Sequence, residues 1–409
     1  MKKNSTLQIL IVIILVLVFV GGGTWMNFKY ASENPGGTDF LVHWEGTRAF
    51  IFEGISPYSD TVALRIQTAT YGRPARQGEH ELRVAYPFYS ELIFAPFALI
   101  DNYNLARAIW MTFLEIALLG ITFFSLRLTN WQPELGVLTI LLLFSLLWYH
   151  AMRALINGNV VIFVALLIVA SLLAIREKQD GVAGLLLAYS TIKPHLVILL
   201  LVFVFIWAIS RKRWKLILWT IGSEVLFIGL GMLFLPNWIL QNIWEVLRYR
   251  SYNPPGTVAD VFKEYFTGIG NQLIIGFVVV LAIVLIYEWV KAWKRDFNWF
   301  LWTASLTLVI SQWIGIQTDP GNFIILFLPL ILVLANINKR WPRSGVWAIV
   351  TVLLLLFFGL WALFLQTLQY GNQPQQSSIM FFPLPLCLFI GLYWVKWWAT
   401  KPSRFPLDY

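Results

Sequence analysis

The chain is nearly without thiols: Cys387 is the single cysteine in 409 residues. One thiol excludes an intramolecular disulfide, and its position in an apolar run makes it a packing residue. Charge is scarce as well. Asp, Glu, Lys and Arg make up 12% of the residues and apolar types 58%, against about 25% charged in an ordinary soluble domain. There is no G-x-x-x-x-G-K-[ST] phosphate loop, no HExxH, no GxSxG and no Asp-x-Asp pair. Energy coupling by ATP and a bound catalytic metal therefore have no direct support.

What remains is written for lipid. A chain this long and this apolar is a polytopic membrane protein of the all-α class. Its 21 Trp and 15 Tyr fit aromatic belts at membrane–water interfaces. The net charge of +9 sits in short clusters between apolar runs, a topology pattern rather than a nucleic-acid-binding face.

Runs of about 17–25 apolar residues, long enough to cross a bilayer, fall near 7–27, 105–126, 134–150, 158–175, 216–235, 271–290, 298–316, 321–337, 345–366 and 380–398. The run 181–210 is broken by Lys193-Pro194-His195 into 181–192 and 195–210, which brings the total to about twelve spans. Residues 7–20 resemble a signal peptide, but Gly21-Gly22-Gly23-Thr24-Trp25 offers no A-x-A-like site, so an uncleaved first span is expected. Alternation through these spans gathers Lys2/Lys3, Arg127, Arg176/Lys178, the cluster 211–215, Lys291/Lys294/Arg295, Lys339/Arg340/Arg343 and Lys396/Lys401/Arg404 on one side. The positive-inside rule makes that side cytoplasmic, with both termini. The other face collects loop 28–104, the turns 150–157 and 193–195, loop 236–270, the turn 317–320 and loop 367–379. The chain is expected to form a single integral domain, 1–409, in the cell membrane, with any chemistry on its extracytoplasmic face.

Within the first loop, 38–53 reads as a helix. Thr38 is a suitable N-cap, Asp39 favours the positive end of the dipole, and Gly54 and Pro57 stop the helix. Phe40, Leu41, Trp44, Ile51 and Phe52 form an apolar face, which predicts an interfacial helix over 39–53 lying along the membrane. Asp39 and His43 share another face. Asp39 is then either a capping carboxylate or a working acid–base group. Glu45 with Arg48 reads as a helical ion pair and 59–83 as a solvated loop. Glu79-His80-Glu81 is too weak a pattern for a metal site. The apolar stretch 88–100 is short for a span and suits a re-entrant or interfacial segment.

Other polar groups cluster on the same face. His150, Arg153 and Asn157-Gly158-Asn159 form a turn between the third and fourth spans. Lys193, between two apolar helices, either meets an anion or snorkels to water. Arg248 and Arg250, beside Tyr249 and Tyr252, can grip an anionic headgroup or bulk phospholipid. Thr318-Asp319-Pro320-Gly321-Asn322 breaks the ninth and tenth spans. Glu115 and Glu224 lie in or near spans with no partner evident in the sequence.

Three stretches, taken in order, resemble GT-C type glycosyltransferases of family 87, the polyprenyl-phosphate-mannose-dependent mannosyltransferase-like proteins. They are Asp39-Phe40-Leu41-Val42-His43-Trp44 through Gly54-Ile55-Ser56-Pro57-Tyr58, then Tyr86-Pro87-Phe88, then Gly158-Asn159 with Gly181-Val182-Ala183-Gly184 and Ile192-Lys193-Pro194. Gly270-Asn271-Gln272 adds a fourth match. The chain departs from the family pattern with Asn159 where Gln is common. It also lacks the histidine some members carry in the ninth-to-tenth loop.

The resemblance implies a glycosyltransferase taking a sugar from a polyprenyl-phosphate-sugar donor to a lipid or glycan acceptor. It places the general base at Asp39, a role worth roughly 10²–10⁴-fold. Cations that stabilise the leaving phosphate are sought in Lys193, His195, Arg248 and Arg250. His43, Tyr58, Tyr86, Asn159 and Asp319 are the candidates for the acceptor cleft. One base without a nucleophilic carboxylate implies inversion, and a monophosphate donor calls for neither metal nor cofactor. The partners expected are this donor, the acceptor and membrane lipids, and no nucleic acid. The competing class is a multispan transporter or lipid flippase, which short broken segments such as 181–195 also suit.

Overall fold

In lipid a backbone must satisfy its own hydrogen bonds, and helices do so within each segment. The structure, a computed structural model, describes residues 3–252, 258–314, 319–370 and 374–401. Lys2, Thr318 and Arg404 lie outside the described residues, as does the side chain of Arg250. Helices lie over every apolar stretch: Lys3–Glu33, Tyr103–Leu128, Leu135–Leu147, Val161–Arg176, Asp180–Ser190, Pro194–Ser210, Trp214–Phe234, Gly270–Ala292, Phe297–Ile314, Phe327–Arg340, Ser344–Thr367 and Pro383–Ala399. Among the described residues six are long and apolar enough to cross a membrane, or seven if the pair Leu135–Leu147 and Tyr149–Asn157, bent by 45°, is one span. The protein is thus an all-helical polytopic membrane protein, with one two-residue antiparallel ladder pairing Gln369–Tyr370 with Pro374–Gln375. The helix Asp180–Ser190 stops short of Pro194, which opens the next helix at its first turn. A proline there forfeits no intrahelical hydrogen bond.

The chain divides into two compact units. The first comprises Met1–Ala117, Leu155–Val160 and Asn237–Asn253. Its core is aromatic: Phe40 stacks on Trp110 at 5.7 Å and meets Phe97 edge-on at 6.2 Å. The second comprises Leu118–Ala154, Val161–Pro236 and Pro254–Tyr409. Its Pro320–Arg340 span is 94% buried, against 22% for Ser344–Thr367, so the former is the central element. Glu288 is buried in this unit and takes both 2.6 Å hydrogen bonds from Lys396, whose ammonium also sits over the Trp302 ring.

Several expectations for the polar segments change. Gly37, in the left-handed region at φ 73°, caps the helix Thr38–Glu53, and Thr38 does not. Gly54 ends that helix at φ 68°, as its position suggests. Ile51 and Phe52 are exposed, while Phe40, Val42, His43, Trp44, Gly46, Thr47 and Ala49 are buried. The helix packs against Asp60–Tyr71 and Glu91–Ala98, so its inward face is set by protein neighbours. Arg48 reaches Asp101 at 2.8 Å instead of Glu45, and Glu45 lies 3.7 Å from Arg65. Residues 59–83 are not simply a loop. They contain the helix Asp60–Tyr71, capped by the Ser59 hydroxyl accepting from the Val62 N–H. The turn expected at 150–157 is the helix Tyr149–Asn157, and the 236–270 loop holds helices Trp238–Tyr252 and Val258–Tyr265.

Candidate functional site

Asp39 is the second residue of its helix and half-buried. Asn159 donates from Nδ2 to Asp39 Oδ2 at 2.9 Å. The other oxygen, Oδ1, has no hydrogen-bond partner among the described residues. The carboxylate is thus oriented by a neutral amide, and among the described residues no cation takes up its charge or its second oxygen.

The turn that presents Asn159 leaves no room for a side chain. The helix Tyr149–Asn157 ends at Gly158, whose φ is 67°, and a Cβ there would lie 2.5 Å from Phe40 Cβ. Gly158→Ala must therefore strain the backbone and displace either Phe40 or Asn159. We expect a loss of about 1–3 kcal/mol from the backbone conformation alone, read as a lower Tm in detergent, with transfer falling further because the Asp39–Asn159 contact is disturbed.

Three further residues read as acceptor-cleft candidates gather in the first unit. His43 is buried, with Nδ1 3.2 Å from Glu91 Oε1, and its ring stacks between Tyr86 and Phe94 at 4.5 Å from each. Glu91 also accepts from the Thr47 hydroxyl. The Tyr58 hydroxyl donates to the Tyr86 carbonyl at 2.7 Å. Burial, reinforced by the nearby negative charge of Glu91, pushes the Tyr58 phenol well above its usual pKa. Arg248 lies 2.8 Å from Glu81 and 3.9 Å from Asp60, so acids in the same unit already meet its charge. Arg250 lies on the same helix, Trp238–Tyr252.

The first unit adds residues that the sequence did not single out. His80 accepts from the Leu82 N–H at Nδ1, 2.9 Å, so the neutral ring carries its proton on Nε2. Tyr249 and Tyr252 meet that ring edge-on at 5.8 and 5.2 Å. Burial lowers its pKa, and the negative charges of Asp39 and Glu81 oppose that shift in part. Its only sequence signal was its place between two glutamates. Arg107, on the helix Tyr103–Leu128, is the other; inside an apolar run it gave no signal beyond being a charge.

Lys193, His195 and Asp319 belong to the second unit. Lys193 is only 4% exposed and donates from Nζ to Asn322 Oδ1 at 2.7 Å. His195 lies in the first turn of the following helix. Asp319 pairs with Arg153 at 3.1 Å and caps the 3₁₀ segment Pro320–Leu326 through the Gly321 N–H. Enclosure pushes the Asp319 carboxyl up, but the charge of Arg153 and the hydrogen bonds from Arg153, Gly321 and Gln376 pull it further down, to about 2. His150, fully buried, bonds from Nδ1 to the Pro320 carbonyl at 2.6 Å. Glu224 accepts from the Thr191 hydroxyl at 3.0 Å and Glu115 from Asn27 at 3.1 Å, so both intramembrane acids have partners.

Among known proteins, the family model of glycosyltransferase family 87 matches residues 85–312, more than half of this chain. No curated protein and no solved structure matches it. The matched region contains Tyr86, Asn159, Lys193, His195, Arg248 and Arg250. Asp39, His43 and Tyr58 precede it, and Asp319 follows it.

Proposed function

We infer, from the premise that this chain belongs to glycosyltransferase family 87 and is a membrane glycosyltransferase, that it moves a hexose, with mannose the first to test, from a polyprenyl-phosphate-sugar donor to a lipid or glycan acceptor. Asp39 is the general base. The observation that carries the reading is the geometry of that carboxylate: one oxygen held by Asn159 at 2.9 Å, the other unengaged among the described residues, and the group half-buried. An acceptor hydroxyl at Oδ1 would lose its proton to Asp39 as its oxygen attacks the anomeric carbon. The bond to the polyprenyl phosphate breaks in the same step, with inversion. The leaving phosphate gains charge, which preorganised cations stabilise. Lys193 and His195 are assigned to it first, then Arg248 and Arg250. His43, Tyr58, Tyr86, Asn159 and Asp319 are assigned to the acceptor side.

In this reading the chain crosses the cell membrane about twelve times, with both termini cytoplasmic, as the basic clusters require. An extracytoplasmic site has no access to nucleotide sugars, which favours the lipid-linked donor. The transporter or flippase reading gives way because the family is one of glycosyltransferases.

The test is transfer by the purified protein, reconstituted with membrane lipids, from labelled polyprenyl-phosphate mannose and, separately, from a nucleotide sugar. Labelled product is expected from the first donor alone. Product from the nucleotide sugar alone overturns both the donor class and the placement of the site.

A further inference from the structure

We propose that Arg107 is a positioning residue for the transfer, holding the segment that carries Asp39 against the turn that carries Asn159. The proposal rests on Asp39 as general base.

Tyr103, Arg107 and Trp110 are spaced i, i+4, i+7 and so share one face of the helix Tyr103–Leu128. Each bonds a backbone carbonyl in one of two segments. The Tyr103 hydroxyl lies 2.9 Å from the Gly36 carbonyl and 3.0 Å from that of Gly37, immediately before the Asp39 helix. Trp110 Nε1 donates to the Gly158 carbonyl at 2.8 Å, immediately before Asn159. Arg107 spans both: Nη1 donates to the Asn34 carbonyl at 2.8 Å and Nη2 to the Ile156 carbonyl at 3.0 Å. The fit is close. A Cβ on Gly37, at φ 73°, would lie 2.4 Å from Arg107 Nε, so the chain closes directly onto the guanidinium.

The choice of arginine is informative. Arg107 is 1% exposed, and no carboxylate lies within ion-pair distance of it among the described residues. Its Nε is buried without a hydrogen-bond partner. Burying a cation against carbonyls, with the Tyr30 ring 5.7 Å away and no carboxylate, is costly. Stability by itself would be served by a neutral donor. A rigid planar fork with divergent donors fixes two carbonyls of different segments at a set spacing and angle, which a lysine ammonium on its flexible stem does less well. Asp39 and Asn159 lie 120 residues apart in sequence, and Arg107 is the one side chain on this face that bonds the segments leading to both.

The experiment measures initial rates with a labelled polyprenyl-phosphate sugar for folded, monodisperse Arg107→Gln, Arg107→Lys, Trp110→Phe, Asp39→Asn and the Arg107→Gln/Asp39→Asn pair. We expect Arg107→Gln to lower kcat about 10- to 100-fold, as a misplacement near 1 Å does, with the donor KM within about twofold. Arg107→Lys recovers part of the loss. Added to Asp39→Asn, Arg107→Gln changes little, because both remove the same function. Wild-type kcat in Arg107→Gln, a loss confined to KM, or a loss that multiplies in full with that of Asp39→Asn overturns the proposal. Should Arg107→Gln not fold, Trp110→Phe keeps an aromatic ring at this position and removes the donor to Gly158. A lowered kcat at unchanged KM then supports the clamp, and wild-type kcat overturns it. Full transfer by Asp39→Asn overturns the general-base reading and this proposal with it. An inactive Asp39→Asn beside an unaffected Arg107→Gln overturns this proposal alone.

Discussion

Asp39→Asn is expected to lower the rate of transfer by about 10²–10⁴-fold, the usual worth of a positioned general base, with the fold intact. The substitution is nearly isosteric. An asparagine carbonyl can still accept from Asn159 Nδ2, and the neighbouring Phe40 stack on Trp110 is untouched. What disappears is the capacity to take up the acceptor's proton, which matters only as the transition state is reached. The loss therefore falls on kcat, with the donor KM preserved. Initial rates with both substrates varied, beside thermal unfolding of the same preparations, check the result. Full transfer by this variant would remove Asp39 from the mechanism.

The largest effect on stability is expected at Arg83. Its Nε and Nη2 donate to the two oxygens of Glu245 at 2.7 and 2.9 Å. The two side chains are 6% and 8% exposed. Arg83→Met leaves the Glu245 carboxylate buried without its partner, which costs about 3–5 kcal/mol. Arg83→Met/Glu245→Met removes the pair together and is expected to recover much of that loss, since a buried ion pair and a packed apolar pair are often of similar stability. The pair Arg248–Glu81 is a control: its arginine is 45% exposed, and breaking it should cost about 0–1 kcal/mol. Denaturation in detergent, followed by size-exclusion profile and thermal shift, separates the three. A stable Arg83→Met would mean that water reaches Glu245.

The sequence was most legible where lipid dictates the answer. Each apolar stretch became a helix because hydrocarbon leaves the backbone few other solutions, and the break at Lys193-Pro194 lies where a proline must start a new helix. Polar segments were harder. The helix Asp60–Tyr71 is short, and it is anchored by neighbours distant in sequence: Gln67 donates to the Glu81 carbonyl and Arg83 reaches Asp60. His43 was chosen for its i, i+4 relation to Asp39, yet it is buried against Glu91, 48 residues on. Asp39 and Asn159 could each be named from motifs, but their hydrogen bond spans 120 residues, and no local pattern encodes such a pairing. Arg107 illustrates the same limit. Its two acceptors are main-chain carbonyls, which every residue type supplies.

The burial of the Pro320–Arg340 span has a consequence for biosynthesis. That segment is apolar enough to enter a bilayer by itself, yet almost none of its surface ends facing lipid. It packs against Phe297–Ile314, made before it, and against Ser344–Thr367 and Pro383–Ala399, made after it. Its burial is therefore complete only once Pro383–Ala399 has been made and packed against it. Packing of the second unit is therefore completed by helices associating after insertion, rather than by insertion itself.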